Sequence, residues 1–495
     1  MVQDAWRSRT GFLLAALGSA IGLGNIWRFP YMAYKNGGGA FLIPYALAVV
    51  VVGFSLVLAE FAVGHRFRAS QPTAFGRVKG GWEGAGWWAI GVGMLGITLY
   101  YMVVIAWTVN YFFFALTEAW QPEPKGFFFK SFLGLSEGPG SLGWPRLPIL
   151  AATVFVWAVC WWVVRRGIAR GIELASLLFM PILGVLLLVL VVWSLTLPGA
   201  GAGLKAYFAP DFSKLLEARV WGDAVAQTFF SLSVGFGILV AYSRYLPERS
   251  NLVGNAAWVA LGDTLFAIIA GVVVFATMGF MAHQAKVEVG KVVTQSVGLA
   301  FIAFPQAISQ LPGLKGLFGA LFFLALFLAG ITSAISLLEA LASALQDKFG
   351  IPRRRVVTAF CCLGCLGSLL YTTGAGLFWL DIVDHHATQY GLVLSSILMA
   401  VFAGWLLDRS ELLAHVRRNG GEGVGEWWPW LLRYVVPLVL GVLLVVGIVQ
   451  DVRKPYEGYP VLAILLLGWG LLVVIALAAY WATRQRGRGA PRASA

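Results

Sequence analysis

Charge is scarce in this chain: only 12% of its 495 residues are Asp, Glu, Lys or Arg, against about a quarter in soluble domains. Cysteine is scarcer still, with four residues, and the cluster Cys361, Cys362 and Cys365 has no histidine near it. A zinc site would need further Cys or His ligands, so we interpret these residues as small apolar packing groups. The chain also contains no N-x-S/T acceptor for glycosylation. Low charge argues against a water-soluble fold, and the cysteine pattern argues against a metal centre.

Long apolar runs take the place of the missing charge. Hydrophobic residues make up 59% of the chain, and one crossing of the hydrocarbon layer needs roughly 20 of them in a row. That window predicts about twelve spans, and therefore an all-α polytopic membrane protein. The predicted spans are centred near Leu23, Val52, Ile105, Phe155, Leu187, Leu232, Ile268, Leu326, Leu363, Val393, Gly441 and Leu466.

The formal net charge of +13 would also fit a nucleic-acid-binding protein. If the amino terminus is cytoplasmic, however, 22 of the 36 Lys and Arg residues fall in cytoplasmic loops and tails. The positive-inside rule then predicts a multi-pass protein of the plasma membrane with both termini cytoplasmic, and no nucleic-acid partner. The ten residues before the first apolar run contain no cleavage-site pattern, so we expect no removable signal peptide.

Two apolar spans are interrupted by small and polar residues. Residues 18–31 read GSAIGLGNIWRFPY, and residues 229–237 read FFSLSVGFG. Paired interruptions at corresponding places of two halves are the best sequence indication of a transporter site, whereas a single one would more simply be a packing seam between helices. We therefore expect a five-helix repeat at 9–197, an inverted copy at 219–406 and two additional helices at 427–484.

These stretches, with NGGGAFLIPY, the Tyr100–Tyr101 pair, AGITSAIS and LDIVDHH, resemble the neurotransmitter:sodium symporter family over nearly the whole chain. Its short prokaryotic amino-acid members are the most similar. The resemblance implies a 5+5 inverted repeat with discontinuous helices 1 and 6, and sodium-coupled symport by alternating access rather than an enzymatic reaction. It also implies two sodium ions and no organic cofactor.

The resemblance places an amino acid between the two breaks, with its carboxylate on backbone amides of the first break and its ammonium on carbonyls of the second. Gly22 stands where monoamine transporters of the family carry an aspartate, so we expect an α-amino acid and reject a biogenic amine. The pocket has no fixed charge for the side chain, which favours a neutral, apolar substrate; aliphatic and aromatic side chains both remain open. The implied substrate residues are Ala20, Leu23, Gly24, Ile97, Tyr101, Phe230, Ser231, Ser233, Phe236, Ser333 and Leu337.

All-oxygen ligand sets suit a hard cation such as sodium. By resemblance the first sodium is bound by Ala20, Asn25, Ser231 and Asp263. The second is bound by Gly18, Ile21, Ala329, Thr332 and Ser333. Chloride-requiring members have a neutral cluster where Asp263 lies. We therefore expect its carboxylate to replace chloride, with proton counter-transport left open.

The resemblance also assigns gates. On the outer side Arg28 and Asp384 would pair through water above a lid of Tyr101 and Phe230. On the inner side the expected gate residues are Tyr245 and Asp347.

The arginine partner expected for Asp347, three residues before Trp6, is Gln3 here. This leaves open whether Arg7 or Arg9 substitutes or inner closure is weaker.

Two other functions compete with sodium symport. A proton-driven transporter of the same architecture would differ only in its coupling ion. An intramembrane enzyme would need a nucleophile–base pair or a metal cluster inside the spans, and we find neither in the sequence. The expected surroundings are the lipid bilayer of a prokaryotic cell, with either a monomer or a homodimer as the assembly.

Overall fold

Helices make up the architecture of the computed structural model, which describes residues 5–293 and 296–485. Ten of its helices are continuous, and are long and apolar enough to cross a membrane. They are Gly38–Phe67 (span 2), Gly80–Thr117 (span 3), Leu147–Val164 (span 4), Ile168–Leu195 (span 5), Leu252–Ala285 (span 7), Lys315–Phe349 (span 8), Arg353–Thr372 (span 9), Gly376–Leu406 (span 10), Trp427–Gly458 (span 11) and Val461–Arg484 (span 12).

The first and sixth predicted spans are each divided into two helices. Span 1 consists of Arg9–Ala20 (1a) and Leu23–Lys35 (1b), which meet at 56°. Span 6 consists of Ala218–Ser231 (6a) and Ile238–Ser243 (6b), joined by non-helical chain. The all-α polytopic fold with discontinuous helices 1 and 6 is confirmed; the repeat boundaries at 9–197, 219–406 and 427–484 stay a prediction.

Short helices connect the spans. They are Gln71–Val78, Pro124–Gly126, Phe127–Phe132, Ala200–Phe208, Phe212–Leu216, Val289–Lys291, Ser296–Gly298, Leu299–Ser309 and Arg409–Arg418.

The break in span 1 follows from local backbone chemistry. Helix 1a stops because Ile21 and Gly22 are extended, with ψ angles of 101° and −169°. Helix 1b starts again because the Asn25 side chain accepts a hydrogen bond of 3.0 Å from the Gly22 amide. An amide oxygen that reaches back in this way satisfies one of the orphan donors at a helix start.

The break in span 6 contains three residues in the left-handed region. Gly235 and Gly237 have φ angles of 85° and 73°, which cost glycine little. Ser233 has φ 53°, a conformation that costs a non-glycine residue about 1–3 kcal/mol. Its hydroxyl donates to the Ser19 carbonyl at 2.7 Å, and the Gly235 amide donates to Glu60 at 2.6 Å. Spans 1 and 2 therefore hold the interruption of span 6 in place.

Burial separates the centre of the molecule from its periphery. Of the apolar stretch of span 8, 83% is buried inside the protein. The buried share is only 22% for span 11 and 17% for span 12. The two additional helices thus lie at the edge, and span 8 lies in the interior against the breaks of spans 1 and 6.

Two histidines join the predicted cytoplasmic end of span 2 to the helix Arg409–Arg418. His65 Nε2 lies 2.7 Å from the Pro247 carbonyl, so it carries the proton and donates. His65 Nδ1 then accepts from His415 Nε2 at 3.0 Å. Burial, followed by the electrostatic influence of the neighbouring His65 and Arg66, lowers the pKa of His415 to about 4.

We expect this contact to make the fold acid-sensitive. A pKa of about 4 in the folded protein against about 6.5 in the unfolded chain means that the unfolded chain binds the proton more readily. Stability is therefore lost as the pH falls from about 6.5 towards 4. In purified protein, His415→Gln should lose less thermal stability between pH 7 and pH 5 than the parent loses. Equal losses in the two proteins would contradict the assignment.

Candidate functional site

A cavity of about 1080 Å³ lies between the two breaks and extends towards the face opposite the chain termini. That face, predicted to be extracellular, is called the outer face below. The outer part of the cavity is lined by Asp381, Tyr456 and Tyr459 among others, and its deep end by residues of helices 1b and 6a.

All eleven residues predicted around the substrate line this one cavity. They come from four spans: the break of span 1, span 3, the break of span 6, and span 8. The site is therefore assembled by tertiary packing from segments far apart in sequence. The residues are Ala20, Leu23, Gly24, Ile97, Tyr101, Phe230, Ser231, Ser233, Phe236, Ser333 and Leu337.

Gly22 lies where a side chain would intrude on the polar end of the pocket. A Cβ built there would stand 3.3 Å from the Ser333 hydroxyl and 3.3 Å from the Tyr101 hydroxyl. Such contacts are tight, so any larger side chain would compete for the space beside these hydroxyls. Glycine leaves that space free for a ligand group, which is consistent with a substrate that brings its own carboxylate.

Three of the predicted ligands of the first sodium form one buried cluster. Asn25 Nδ2 donates to Asp263 Oδ1 at 2.7 Å, and the Ser231 hydroxyl donates to Asp263 Oδ2 at 2.7 Å. Asp263 is fully buried, and no Lys, Arg or His forms an ion pair with it in the part of the chain that the structure describes. A buried carboxylate is costly unless a positive charge accompanies it. The fourth predicted ligand, Ala20, is buried beside them, and this oxygen-rich, negatively charged set fits a sodium ion.

The predicted ligands of the second sodium converge on the Ser333 hydroxyl. That oxygen lies 3.2 Å from the Gly18 carbonyl, 3.4 Å from the Ile21 carbonyl and 3.3 Å from the Ala329 carbonyl. One hydroxyl can donate only one hydrogen, so Ser333 cannot satisfy all three carbonyl oxygens at once. An excess of oxygen lone pairs in a buried pocket fits a cation.

Thr332, the remaining predicted ligand of this ion, hydrogen-bonds within its own helix to the Leu328 carbonyl at 3.0 Å. Its side chain nevertheless lies against span 1, because a Cβ at Gly18 would stand 3.1 Å from Thr332 Cβ. Ligation by Thr332 stays a prediction.

The predicted outer-gate residues surround the mouth of the pocket. Arg28, Asp384, Tyr101 and Phe230 all line the cavity, and the Arg28 guanidinium lies 4.6 Å from the centre of the Phe230 ring. Asp384 accepts a hydrogen bond from Tyr100, and its pairing with Arg28 through water stays a prediction.

The predicted inner-gate residues lie on the other side of the breaks. Asp347 accepts hydrogen bonds of 2.9 Å from both terminal nitrogens of Arg244. Tyr245 donates to Glu339 at 3.2 Å, and Glu339 also pairs with Arg353. The inner side is thus closed by charged groups.

Neither arginine considered as a substitute for Gln3 contacts Asp347. Arg9 donates to Asn255 at 2.9 Å, and the Arg7 backbone amide donates to Glu173 at 2.8 Å. Gln3 itself lies outside the described residues. Of the arginines among the described residues, the one that hydrogen-bonds to Asp347 is Arg244, which directly follows helix 6b.

Several polar groups at the site were missed by sequence reasoning. The hydroxyls of Tyr45 and Thr264 and the amide of Gln227 are buried without a hydrogen-bond partner among the described residues. Tyr45 lies beside Thr264 and Ser231, and Gln227 is one turn before Ser231 on helix 6a. Polar side chains inside apolar spans were the available signal.

Comparison with known proteins gives a consistent picture. The model of the Sodium:neurotransmitter symporter family matches residues 3–123 and 120–485. An uncharacterized sodium-dependent transporter of Methanocaldococcus jannaschii is 43% identical over 459 residues, 93% of each chain. The human sodium- and chloride-dependent neutral and basic amino acid transporter B(0+) is 31% identical over 94% of this chain and 83% of its own length.

A solved structure supports the same similarity. The crystal structure of MhsT in complex with L-phenylalanine superposes with a TM-score of 0.75 at 32% identity, covering 90% of this chain and all of that one.

Because Asp263 is buried without a cationic partner, we expect sodium to stabilise the protein through it. A ligand present at 100 times its Kd adds about 2.7 kcal/mol to the free energy of unfolding. Replacing potassium by sodium should therefore raise the apparent Tm, and Asp263→Asn should lose most of that rise. The exposed Glu422→Gln is the matched control and should keep it. An undiminished sodium response in Asp263→Asn would contradict the assignment.

Proposed function

The chain belongs to the sodium:neurotransmitter symporter family, and we propose that it imports a neutral, apolar L-amino acid together with sodium by alternating access. Two sodium ions bind beside the substrate, and chloride is not required. The observation that carries this proposal is the buried, uncompensated carboxylate of Asp263 next to the break of span 1.

The coupling of ion and substrate follows from electrostatics. The substrate carboxylate, held between the Tyr101 hydroxyl and the amides of helix 1b, completes the first sodium site. Each ligand then lowers the cost of burying the charge of the other, and such coupling is reciprocal and commonly ~1–3 kcal/mol. A sodium gradient can therefore drive uptake of the amino acid against its own gradient.

The substrate class follows from the remainder of the pocket. Ile97, Phe236 and Leu337 supply an apolar lining, and Gly22 leaves space for a carboxylate beside Tyr101. The similar protein MhsT has been solved in complex with L-phenylalanine, which supports a pocket of this kind accepting an aromatic side chain. The lining does not distinguish aliphatic from aromatic substrate side chains, because one methylene more or less changes the binding free energy by only ~1–3 kcal/mol.

Chloride independence rests on the charge at Asp263. The human relative is named as chloride-dependent, so the family contains both kinds of member. In this chain Asn25 and Ser231 direct their donors at the Asp263 carboxylate, which occupies the position of an anion. A fixed carboxylate makes a mobile chloride redundant, and its titration would also provide the route for proton counter-transport.

Reconstitution tests the proposed activity. In proteoliposomes loaded with each of the twenty amino acids in turn, sodium-dependent counterflow should appear for neutral, apolar substrates and be absent for charged ones. Replacing sodium by potassium or choline should abolish it. Uptake that persists without sodium and follows an imposed pH gradient would instead favour the proton-coupled transporter of the same fold.

The variant Asp263→Ser tests the chloride proposal. Removing the carboxylate leaves the Asn25 and Ser231 donors facing an empty position, where chloride can bind. Uptake by the variant should be lost when gluconate replaces chloride and should recover in part when chloride is restored. The parent should be insensitive to the exchange. Undiminished uptake by Asp263→Ser in gluconate would refute the idea.

A further inference from the structure

The cytoplasmic side of the site contains a two-pronged ion pair between spans 6 and 8. Both terminal nitrogens of Arg244 lie 2.9 Å from the two oxygens of Asp347. The two side chains are 16% and 15% exposed, so water screens the pair only weakly. A bidentate guanidinium–carboxylate pair is the strongest and most directional form of salt bridge.

Asp347 also binds a third element. The backbone amide of Ser70, just after span 2, donates to Asp347 Oδ2 at 2.8 Å. Arg68 extends the same junction by donating to the Arg244 carbonyl at 3.1 Å. The ends of spans 2, 6 and 8 are therefore held together around one carboxylate.

The amino-terminal segment contributes no charge to this junction in residues 5–9. Trp6 donates to the Tyr242 carbonyl at 2.9 Å, and the Ser8 hydroxyl donates to Glu173 at 2.8 Å. Arg9 is engaged with Asn255. The segment packs against helix 6b through Trp6. The cationic partner of Asp347 comes from span 6.

We propose that Arg244 is the positioning residue that locks the cytoplasmic end of the transport pathway, in place of a cation from the amino-terminal segment. Arg244 directly follows helix 6b, whose other end joins the break that lines the cavity. Asp347 lies on span 8, which also carries Thr332 and Ser333. The inference rests on the proposed transport function, because a lock is meaningful only for a pathway that opens.

This placement couples the lock to the ligand site. An arginine on a terminal tail can dissociate while the helices stay packed, whereas Arg244 is attached to the end of helix 6b, so that movement of this end away from span 8 breaks the pair with Asp347. Tyr245 reinforces this restraint, because its hydroxyl donates to Glu339 on the same span. Opening of the inner side is therefore coupled to a displacement of helix 6b, the half-helix next to the proposed substrate site.

Accessibility of a cysteine behind the lock tests the proposal without requiring transport. Ser343 is buried one turn before Asp347 on span 8, with its hydroxyl bonded only within the helix. We would place Ser343→Cys in a protein whose four native cysteines are replaced by alanine. Labelling by a membrane-impermeant maleimide from the cytoplasmic side, in inside-out vesicles, then reports how often the inner end opens.

Removing the lock should speed labelling. We expect Arg244→Gln and Asp347→Asn each to label about tenfold faster than the parent, a shift typical of losing one partner of a partly buried pair. Arg244→Lys, which keeps the charge without the fork, should lie between them and the parent. The three variants disturb the ion pair to different extents. If one of them fails to fold, the labelling rates of the other two still test the proposal.

Matched controls separate the lock from other effects. Arg249→Gln removes an exposed arginine of the following loop and should label at the parent rate, as should Gln3→Ala. The double variant Arg244→Gln/Asp347→Asn should label no faster than either single variant, since both remove one interaction.

Parent-like labelling of both Arg244→Gln and Asp347→Asn would overturn the proposal. Acceleration by Gln3→Ala equal to that of Arg244→Gln would overturn it as well, because the terminal segment would then carry the lock. The assay uses neither sodium nor amino acid, so a failure of the lock is distinguishable from a failure of sodium-coupled transport, which the counterflow measurement reports separately.

Discussion

Peptide groups without helical partners, placed deep among apolar spans, are the constraint from which the rest of this structure follows. Helix 1a ends at Ala20 and helix 6a at Ser231, and hydrocarbon provides no substitute for the lost hydrogen bonds. The two breaks therefore face each other, with the Ser233 hydroxyl bonded to the Ser19 carbonyl. The carbonyls left over point at a cavity, and the buried carboxylate of Asp263 makes the region negative. On the proposed function, cations complete a site of this chemistry, and ion binding and substrate binding are therefore coupled.

Spans 6 and 8 connect the ligand site to the inner face. Helix 6b is short and begins directly after Gly237, whose positive φ costs glycine little. The break separates this segment from helix 6a, so that no continuous helical hydrogen bonding links the two half-helices. Span 8 is the most buried of the long helices and offers the fixed surface against which 6b closes. On the proposed assignment, Arg244 and Asp347 are the contact between the moving and the fixed part.

Sequence reasoning predicted the parts of this arrangement that depend on local composition. Apolar run length predicted the spans, and the glycine- and serine-rich stretches at 18–31 and 229–237 predicted both breaks. The cavity residues, including Tyr101 and Ser333, followed from the resemblance of motifs. The partner of Asp347 did not follow, because it depends on which side chain packing brings within reach. The buried hydroxyl of Tyr45 was missed for the same reason: its burial is decided by neighbouring spans and not by its own.

Asp263 and Arg244 illustrate one principle when taken together. On the two proposals made above, a charge that a separate, mobile element would supply is built into a helix: a carboxylate in place of chloride, and a guanidinium on span 6 in place of a terminal arginine. A built-in charge requires no binding step, so its stabilising effect does not depend on the concentration or position of another component. It also cannot leave, so it must be neutralised in every state of the cycle. On the same proposals, the neutralising group for Asp263 is sodium or a proton, and for Arg244 it is Asp347 until the inner end opens to water. Both proposals therefore link charge compensation directly to the movement of span 6, the helix that carries Ser231 at one end of its break and Arg244 beyond the other.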